Sequence, residues 1–341
     1  ALRRRLAETF QLAEHRVIIH VTHTHSAPPQ HRLDMDALFK AMVVSVRRAR
    51  ARARPARMAF LQADADREFS RCRRWDSRAE LGTVSVLHND GCVFRNGEVY
   101  VKGYVQAELD RIGHVQATLP EEARLDGPVD RAISLLHFID ARGQSLGGLA
   151  RFAAHADQVA GRLGTIFGAE YPGYLCRRLQ RKLGGTFLFL NGPCADLKPF
   201  YEAYTWEACR RTGEGLADRL LARLPPRKAY RALTRLEVYG DQLYLQPRRA
   251  VAHDLGTLVT QVFELRAQAA ALKNLPVKKA READEYRWLI DTLSYIAGAF
   301  YGGDTRRMFA PRLFPLSLIA FNRTAHYLCM PGARACPTCR R

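Results

Sequence analysis

The segment Thr186-Phe-Leu-Phe-Leu190 has large apolar side chains at four successive positions, so as a strand it would be apolar on both faces. It follows a helix pattern that begins at Tyr171-Pro172-Gly173, with proline in the first turn, and it ends in the turn residues Asn191-Gly192-Pro193. Strands of this kind are typical of sheets that are covered on both faces. The chain has 341 residues and is 47% hydrophobic, which is enough to bury such a core.

Strand and helix patterns alternate through the first 225 residues. This alternation predicts an α/β fold, with a mixed β-sheet flanked by helices and a site at the strand ends. Helices are predicted over about 2–14, 34–52, 171–182 and 203–223, and strands over about 16–21, 58–61, 133–139, 148–154 and 186–190. The last third is predicted to hold a strand near 230–245, helices near 255–273 and 281–298, and a hairpin of 315–321 and 326–330.

Residues 67–130 are polar and glycine-dotted, with short strand-like pieces at 83–86 and 98–101. Connections of this length are uncommon in compact domains unless they have a function of their own. We therefore interpret this segment as an active-site or lid region.

Three of the eleven histidines lie within six positions, in the segment His20-Val-Thr-His23-Thr-His25. Side chains two apart in an extended segment point the same way, so His23 and His25 are predicted to share one face. His20 has the opposite parity, and we expect it to be a packed, hydrogen-bonded core histidine. Two imidazoles at a strand end make half of a metal site.

A further histidine, His155, follows the predicted strand 148–154, and Asp196 follows the apolar strand. Ligand sites in α/β proteins commonly lie where strands end at one sheet edge, so we expect His155 to meet His23 and His25 there. Taken alone, Asp196 is better explained as a turn residue or helix cap. A catalytic zinc site needs three protein ligands and an open position for water, whose pKa the metal lowers toward about 7.

Several motifs occur in the order found in the neutral/alkaline, non-lysosomal ceramidases, and the sequence resembles the shorter bacterial members of that family of zinc amidohydrolases. The motifs are the helix followed by THTHSAPP, the strand PARMAF, the segment Phe69-Ser-Arg71, GPVDRAISLLHF, RFAAHAD, AEYPGYLCRRL and FLFLNGPCADLKP. The resemblance covers about residues 1 to 200. It implies hydrolysis of an N-acyl amide, such as the lipid ceramide, by water activated on Zn²⁺.

The resemblance also implies roles for individual residues. His23 and His155 would be zinc ligands, and His25 would lie beside the metal as a hydrogen-bonding or proton-handling group. Arg71 would contact the substrate or the developing oxyanion. The turn from Asn191 to Asp196 would frame the substrate head group, with Asp196 buttressing the site rather than ligating.

The main departure from the family pattern lies near the end of the chain. The family's strand finishing in Pro-Gly-Glu supplies a glutamate ligand, whereas this chain reads Pro331-Gly332-Ala333, and a later tyrosine ligand is absent too. We interpret the Cys/Arg-rich segment 333–341, including its CxxC motif, as a non-family tail produced by a frame slip or truncation. We therefore expect one ceramidase-like catalytic domain over 1–332, with an incomplete start, an incomplete zinc shell and impaired hydrolysis.

The charge distribution supports a second class of function. The formal net charge is +19, and residues 47–57 read RRARARARPAR. This patch is either the solvated end of a helix or a surface for anionic lipid headgroups, so a non-catalytic protein that binds anionic lipid or carbohydrate is the alternative to the enzyme. No aromatic residues interleave the arginines, and without a stacking platform nucleic acid is not the expected partner.

Overall fold

The computed structural model describes residues 2–28, 33–77, 82–86, 92–109, 113–125, 127–159, 167–200, 204–245, 312–322 and 324–329. The predicted helices at 255–273 and 281–298, and the tail at 333–341 with Ala333 and its CxxC motif, lie outside these residues. The chain divides into two compact units, one comprising Ala1–Asp241 with Leu316–Arg341 and the other comprising Gln242–Pro315. The single domain over 1–332 stays a prediction.

The described residues form four α-helices and fifteen strands. The helices are α1 (Leu2–Phe10), α2 (Met35–Ala51), α3 (Glu170–Leu183) and α4 (Trp206–Leu221). The strands are β1 (Arg57–Asp64), β2 (Arg71–Cys72), β3 (Arg74–Ser77), β4 (Gly82–Val86), β5 (Cys92–Arg95), β6 (Glu98–Leu109), β7 (Gly113–Arg124), β8 (Ala132–Ile139), β9 (Ser145–Phe152), β10 (Thr186–Asn191), β11 (Leu197–Lys198), β12 (Arg231–Ala232), β13 (Leu236–Leu245), β14 (Arg312–Phe321) and β15 (Ala325–Cys329). None of these helices is both long enough and apolar enough to cross a bilayer.

The central sheet has the strand order β10-β9-β8-β1-β12. β9 and β10 run parallel, whereas the other neighbours are antiparallel, so the sheet is mixed as predicted. Helices α3 and α4 cover one face, where Leu175 and Leu216 pack with Phe152 of β9 in the main core. On the other face, Leu136 packs with Phe321 of the β14–β15 hairpin. The predicted α/β fold class is confirmed.

Local signals explain where the helices begin and end. Asp34 caps α2 by accepting hydrogen bonds from the backbone N–H groups of Asp36 and Ala37, and Thr205 caps α4 in the same way. Gly184 follows α3 with φ of 77°, a left-handed conformation that glycine adopts without steric cost. These boundaries agree with the helices that the sequence predicts over 34–52, 171–182 and 203–223.

Gly147 allows β9 and β10 to approach each other closely. Gly147 lies opposite Thr186 in the parallel pair, with φ of 124°. A Cβ atom at Gly147 would lie 1.8 Å from the carbonyl oxygen of Thr186, which no side chain can tolerate. Any larger residue at position 147 would therefore displace β10, and with it the turn that follows β10.

Two predictions about strands are wrong. Residues 16–21 do not form a strand; after a 3₁₀ turn at Glu14–Arg16 the chain continues irregularly, and Val21 is exposed. β10 is apolar in sequence but alternates in burial, with Leu188 57% exposed. The reason is that strand propensity and apolar composition report side-chain type, while burial depends on which neighbouring elements cover the strand.

The segment 67–130, interpreted from the sequence as an active-site or lid region, forms an antiparallel sheet over most of its described residues. Its strand order is β3-β4-β6-β5, and β7 pairs with β6. It has a small core of its own, in which Val99, Val101 and Phe200 are buried. The two strand-like pieces at 83–86 and 98–101 are confirmed as parts of β4 and β6, but most of the segment between them and beyond them is also strand.

A buried histidine links β8 to the end of the central sheet. His137 lies between the hydroxyl groups of Tyr230, 2.7 Å from its Nδ1, and Ser145, 2.9 Å from its Nε2. Ser145 also donates to the carbonyl oxygen of Gly184. Its hydroxyl proton is thus used, so Nε2–H of His137 donates to Ser145 and Nδ1 accepts from Tyr230. Burial lowers the pKa of His137 from 6.5 to about 4.

We expect acid to destabilise the fold partly through His137. Between about pH 6.5 and pH 4 the unfolded chain binds a proton that the folded chain excludes, so the free energy of unfolding falls as the pH falls, by at most about 1.4 kcal/mol per pH unit for this group. Urea denaturation at about pH 7 and pH 5 measures this slope. His137→Gln should be less stable at about pH 7 yet show a shallower slope. His326→Gln, at an exposed position on β15, is the matched histidine control. An unchanged slope in His137→Gln would contradict the assignment.

Candidate metal centre

Three histidines from two distant parts of the sequence meet at the end of β9. The ring centroids of His23 and His155 are 4.8 Å apart, those of His23 and His25 are 5.0 Å apart, and those of His25 and His155 are 5.5 Å apart. One nitrogen from each ring can be chosen so that all three lie within 4.8 Å of one another. His155 is buried, His23 is half-buried and His25 is exposed. The predicted convergence is therefore confirmed.

His155 is fixed by a single carbonyl group. Its backbone N–H donates to Leu197 O at 2.9 Å, and its ring Nδ1 lies 3.1 Å from the same oxygen. Because a carbonyl oxygen only accepts, Nδ1 carries the proton and Nε2 has the free lone pair. A backbone carbonyl that orients an imidazole in this way is the usual outer partner of a metal-ligating histidine.

The segment that carries His23 and His25 is held by local pairing, although it is not a strand. Thr24 forms an isolated parallel bridge with Ala156, and the N–H of His25 donates to Ala156 O at 2.9 Å. The Thr24 hydroxyl donates to Gly168 O at 2.9 Å. His23 has φ of 58°, so the extended parity argument fails at this residue, and the two rings meet by a different backbone path.

The segment 152–158 is buried without being part of a sheet over most of its length. Buried backbone groups need partners, and here each partner comes from a different part of the fold. The carbonyl groups of Phe152, Ala153, Ala154 and Ala156 accept from Gly192 N–H, Ser70 Oγ–H, Tyr171 O–H and His25 N–H, while the N–H groups of His155 and Gln158 donate to Leu197 O and to the Glu170 carboxylate. This network aligns the histidine segment with the end of β9.

The histidines are neutral at neutral pH. Burial lowers the pKa of His155 to about 4, although the negative charge of Asp157 opposes the shift. Burial also lowers the pKa values of His23 and His25, again against Asp157. Neutral imidazoles have a lone pair to donate, so protons do not compete with a metal ion in this pH range.

Asp157 and Lys198 form a buried ion pair behind the histidines, with 2.7 Å between Oδ2 and Nζ. Burial alone would raise the pKa of Asp157, but the Lys198 ammonium and His155 outweigh it and lower the pKa to about 2. Asp157 is thus an anion and holds a negative charge near three neutral rings. The sequence motif His155-Ala-Asp157 could have indicated a negative charge beside the histidine, because side chains two residues apart in an extended segment can point the same way.

The donor set fits a zinc-like ion. Zinc accepts imidazole nitrogens at about 2.0–2.1 Å in tetrahedral geometry, which places ligand nitrogens about 3.4 Å apart. Nitrogens within 4.8 Å of one another therefore need side-chain rotations that bring them up to about 1.4 Å closer. Three nitrogens leave the fourth tetrahedral position open.

The remaining predicted site residues lie around this cluster and not within it. Arg71 is buried on β2 and lies opposite Lys198 of β11 in the strand register. Asp196 is buried in the turn that precedes β11. His20 lies outside the cluster and is exposed, so the prediction of a core histidine is wrong. Its Nε2 nonetheless accepts a hydrogen bond from Asn191 N–H at 2.7 Å.

Glu170 anchors the site from the start of α3. Its carboxylate is buried and accepts from Ser26 Oγ at 2.7 Å and from Gln158 N–H at 2.5 Å, so it joins the two segments that carry the histidines. Its backbone has φ of 47°, a left-handed conformation that is rare outside glycine. Burial raises its pKa to about 7, although these hydrogen bonds oppose the shift.

Comparison with known proteins finds solved structures that are similar to part of the chain. No protein-family model matches the chain, and no curated protein matches it. A solved structure described as ceramidase complexed with C2 is similar at 17% sequence identity over 72% of this chain, with a TM-score of 0.46. The neutral ceramidase from Pseudomonas aeruginosa is similar at 16% identity over 72% of this chain, also with a TM-score of 0.46. The chain spans 36% of the length of each.

We expect Glu170→Ala to lower the free energy of unfolding by about 2–4 kcal/mol, because two buried donors lose their acceptor. Glu170→Gln should cost less, since its one carbonyl oxygen can still accept from one donor. Urea denaturation measures both. Glu207→Ala, in the exposed first turn of α4, should stay within about 1 kcal/mol of wild type. Equal costs at positions 170 and 207 would show that Glu170 does not anchor the segments.

Proposed function

We propose that this protein is a ceramidase-like, zinc-dependent amidohydrolase in which His23, His25 and His155 hold the metal ion. The observation that carries the proposal is the convergence of these three side chains at one point, with ligand atoms within 4.8 Å of one another. Three imidazoles and one open position form the ligand pattern of a catalytic zinc site rather than a closed structural one.

His155 and His25 have specific parts in this proposal. His155 presents Nε2, because its Nδ1–H is bound to Leu197 O. His25, the exposed member, is assigned as the third ligand instead of the proton-handling group that the family resemblance implies. With His25 as a ligand, the site does not require a glutamate at position 333, which removes the main reason to expect impaired hydrolysis.

The chemistry follows from the site's surroundings. When bound, a divalent metal ion supplies Lewis acidity that lowers the pKa of water toward about 7 and polarises a carbonyl group. Asp157 stays anionic beside the rings and favours a cation at the cluster. Burial of His155 keeps water away from one side of the site, which strengthens each electrostatic interaction there.

The substrate class follows from the ordered motifs that the chain shares with the ceramidase family. We propose an N-acyl amide with a lipid acyl chain, cleaved at its C–N bond by addition of water. The whole of residues 1–332 is proposed as the catalytic domain that presents this site.

Metal content tests the proposal. Purified protein dialysed against Zn²⁺ should retain about one ion per chain by elemental analysis. His23→Ala, His25→Ala and His155→Ala should each weaken zinc binding at least about tenfold in a chelator competition, because each removes one of three ligands. His20→Ala, a histidine of the same segment outside the cluster, should bind zinc as the wild type does.

Activity is tested separately with a fluorescent N-acyl amide. Hydrolysis should depend on added Zn²⁺ and should be lost in the same three variants. Retention of full zinc binding in His25→Ala would restore His25 to a proton-handling role, whereas wild-type zinc binding in His155→Ala would refute the site.

A second function, binding of anionic lipid surfaces, is favoured by one observation. Every residue from 44 to 55 is exposed, and this stretch contains five arginines and no acidic residue. Val44 and Val46 are exposed on the same helix as Arg47, Arg48 and Arg50. A helix that combines exposed apolar side chains with arginines can lie on an anionic membrane surface.

We expect the protein to sediment with vesicles that contain phosphatidylserine and not with vesicles of phosphatidylcholine alone. Replacing Arg47, Arg48 and Arg50 with Glu should abolish sedimentation, since each basic residue near such a surface contributes about 1 kcal/mol. The matched control replaces the exposed residues Arg223, Lys228 and Arg231 with Glu, which changes the net charge equally. Equal loss in both triple variants would indicate a non-specific charge effect.

A further inference from the structure

Arg73 has a buried donor without an acceptor. The side chain is half-buried, and within the described residues its Nε atom has no hydrogen-bond partner. Arg151, another half-buried arginine of this unit, pairs with the carboxylate of Asp130 at 2.5 Å. An unsatisfied buried donor costs about 1–3 kcal/mol, so such a group in a native structure needs an explanation.

Arg73 lies directly beside the strand pair that positions His155. It directly follows β2, and its backbone N–H donates to Asp196 O at 2.8 Å. β2 pairs with β11, whose first residue, Leu197, accepts both hydrogen bonds from His155. The positive charge of Arg73 also acts on all three histidines, since it contributes to the lowering of their pKa values.

Arg57 Nε is another arginine donor that is buried without a partner in the described part of the chain. Arg57 lies at the start of β1, opposite Ile139.

The charge on β2, β11 and the residue after β2 also favours an anionic ligand. These positions carry three cationic side chains, Arg71, Arg73 and Lys198, and no carboxylate. Lys198 is committed to Asp157 by its 2.7 Å ion pair. A divalent ion on the histidines would add further positive charge.

We propose that the Arg73 guanidinium binds a carboxylate of the substrate beside the three histidines, which makes the substrate an N-acyl amino acid rather than a neutral N-acyl amino alcohol. Nε–H and one Nη–H of an arginine match the two oxygens of a carboxylate, and the pair is strong because both partners are charged. The Nε–H group of Arg73 then has an acceptor when the substrate is bound. This inference rests on the proposed amidohydrolase function.

The reaction balances with water alone. Water adds its oxygen to the acyl carbon as the C–N bond breaks, and the departing nitrogen takes a proton, which yields a fatty acid and an amino acid. The amino-acid carboxylate that binds Arg73 is unchanged in this step. Arg73 is thus a specificity residue for the leaving group.

A pair of probes that differ in one group tests the inference. N-dodecanoylglycine carries the carboxylate, and N-dodecanoylethanolamine carries a hydroxyl group in its place. Their dissociation constants are measured by calorimetry with the purified protein, before and after chelation of metal. Wild type should bind the carboxylate probe at least about tenfold more tightly than the neutral probe in both forms.

The variants separate charge from geometry. Arg73→Gln should bind the two probes with equal affinity while its affinity for the neutral probe stays at the wild-type value. Arg73→Lys keeps the charge without the two-pronged donor edge and should retain part of the preference. Arg177→Gln, an exposed arginine on α3, should keep all of it.

The outcomes distinguish this inference from the proposed function. A wild-type preference that survives in Arg73→Gln, or no preference in the wild type, would overturn the inference even if zinc-dependent hydrolysis is found. A preference that depends on Arg73 supports it even if neither probe is hydrolysed, in which case only the amidohydrolase proposal fails. If Arg73→Gln does not fold, a full preference in Arg73→Lys overturns it and a partial one supports it.

Discussion

The buried segment 152–158 leaves the central sheet without leaving the protein interior, and its backbone groups therefore have to find partners outside a strand ladder. Those partners are the histidine segment, the turn after β10, β11, α3 and Ser70. The hydrogen bonds of this one stretch of main chain thus fix the positions of elements that are far apart in sequence. The rings of His23, His25 and His155 meet because their backbones are joined here.

Desolvation then determines the chemical state of the cluster. The same burial that demands hydrogen bonds keeps the imidazoles neutral, and the buried pair of Asp157 and Lys198 places a lasting negative charge nearby. Breaking one member of such a pair leaves an uncompensated buried charge, which is far more costly than losing a surface ion pair. The negative charge of Asp157 is therefore part of the folded structure, whereas Glu170, whose pKa is raised to about 7, changes its charge near neutrality.

The sequence predicts the elements that are defined by local chemistry. The capped helix α2, the helix that starts at Tyr171-Pro172-Gly173 and the hairpin that turns at Asn322 are all present, because caps and turns act over a few residues. His23, His25 and His155 were also found by their places at apparent strand ends. Residues 16–21 were misassigned, since no neighbouring strand pairs with them among the described residues, and pairing cannot be read from side-chain type.

The parts of the site that the sequence did not reveal depend on burial. Asp157, Lys198, Glu170 and Arg73 are ordinary charged residues in the sequence, and their importance comes from being withdrawn from water. Burial follows from how β2, β11 and α3 pack, which is a property of the tertiary fold. A histidine motif can be recognised by spacing, whereas a buried acid or an orphan donor is identified only once its surroundings are known.

The left-handed backbone at His23 places two independent requirements on one position. The residue must donate to a metal ion, and it must tolerate positive φ, which among non-glycine residues favours asparagine, aspartate and histidine. Of the usual protein ligands, only aspartate shares both properties with histidine. Cysteine and glutamate would ligate with a strained backbone. The substitution at this position that keeps both properties is therefore His23→Asp, which replaces a ligand nitrogen with a carboxylate oxygen. That replacement would shift the site from zinc-like ions toward harder cations such as Mg²⁺ or Mn²⁺.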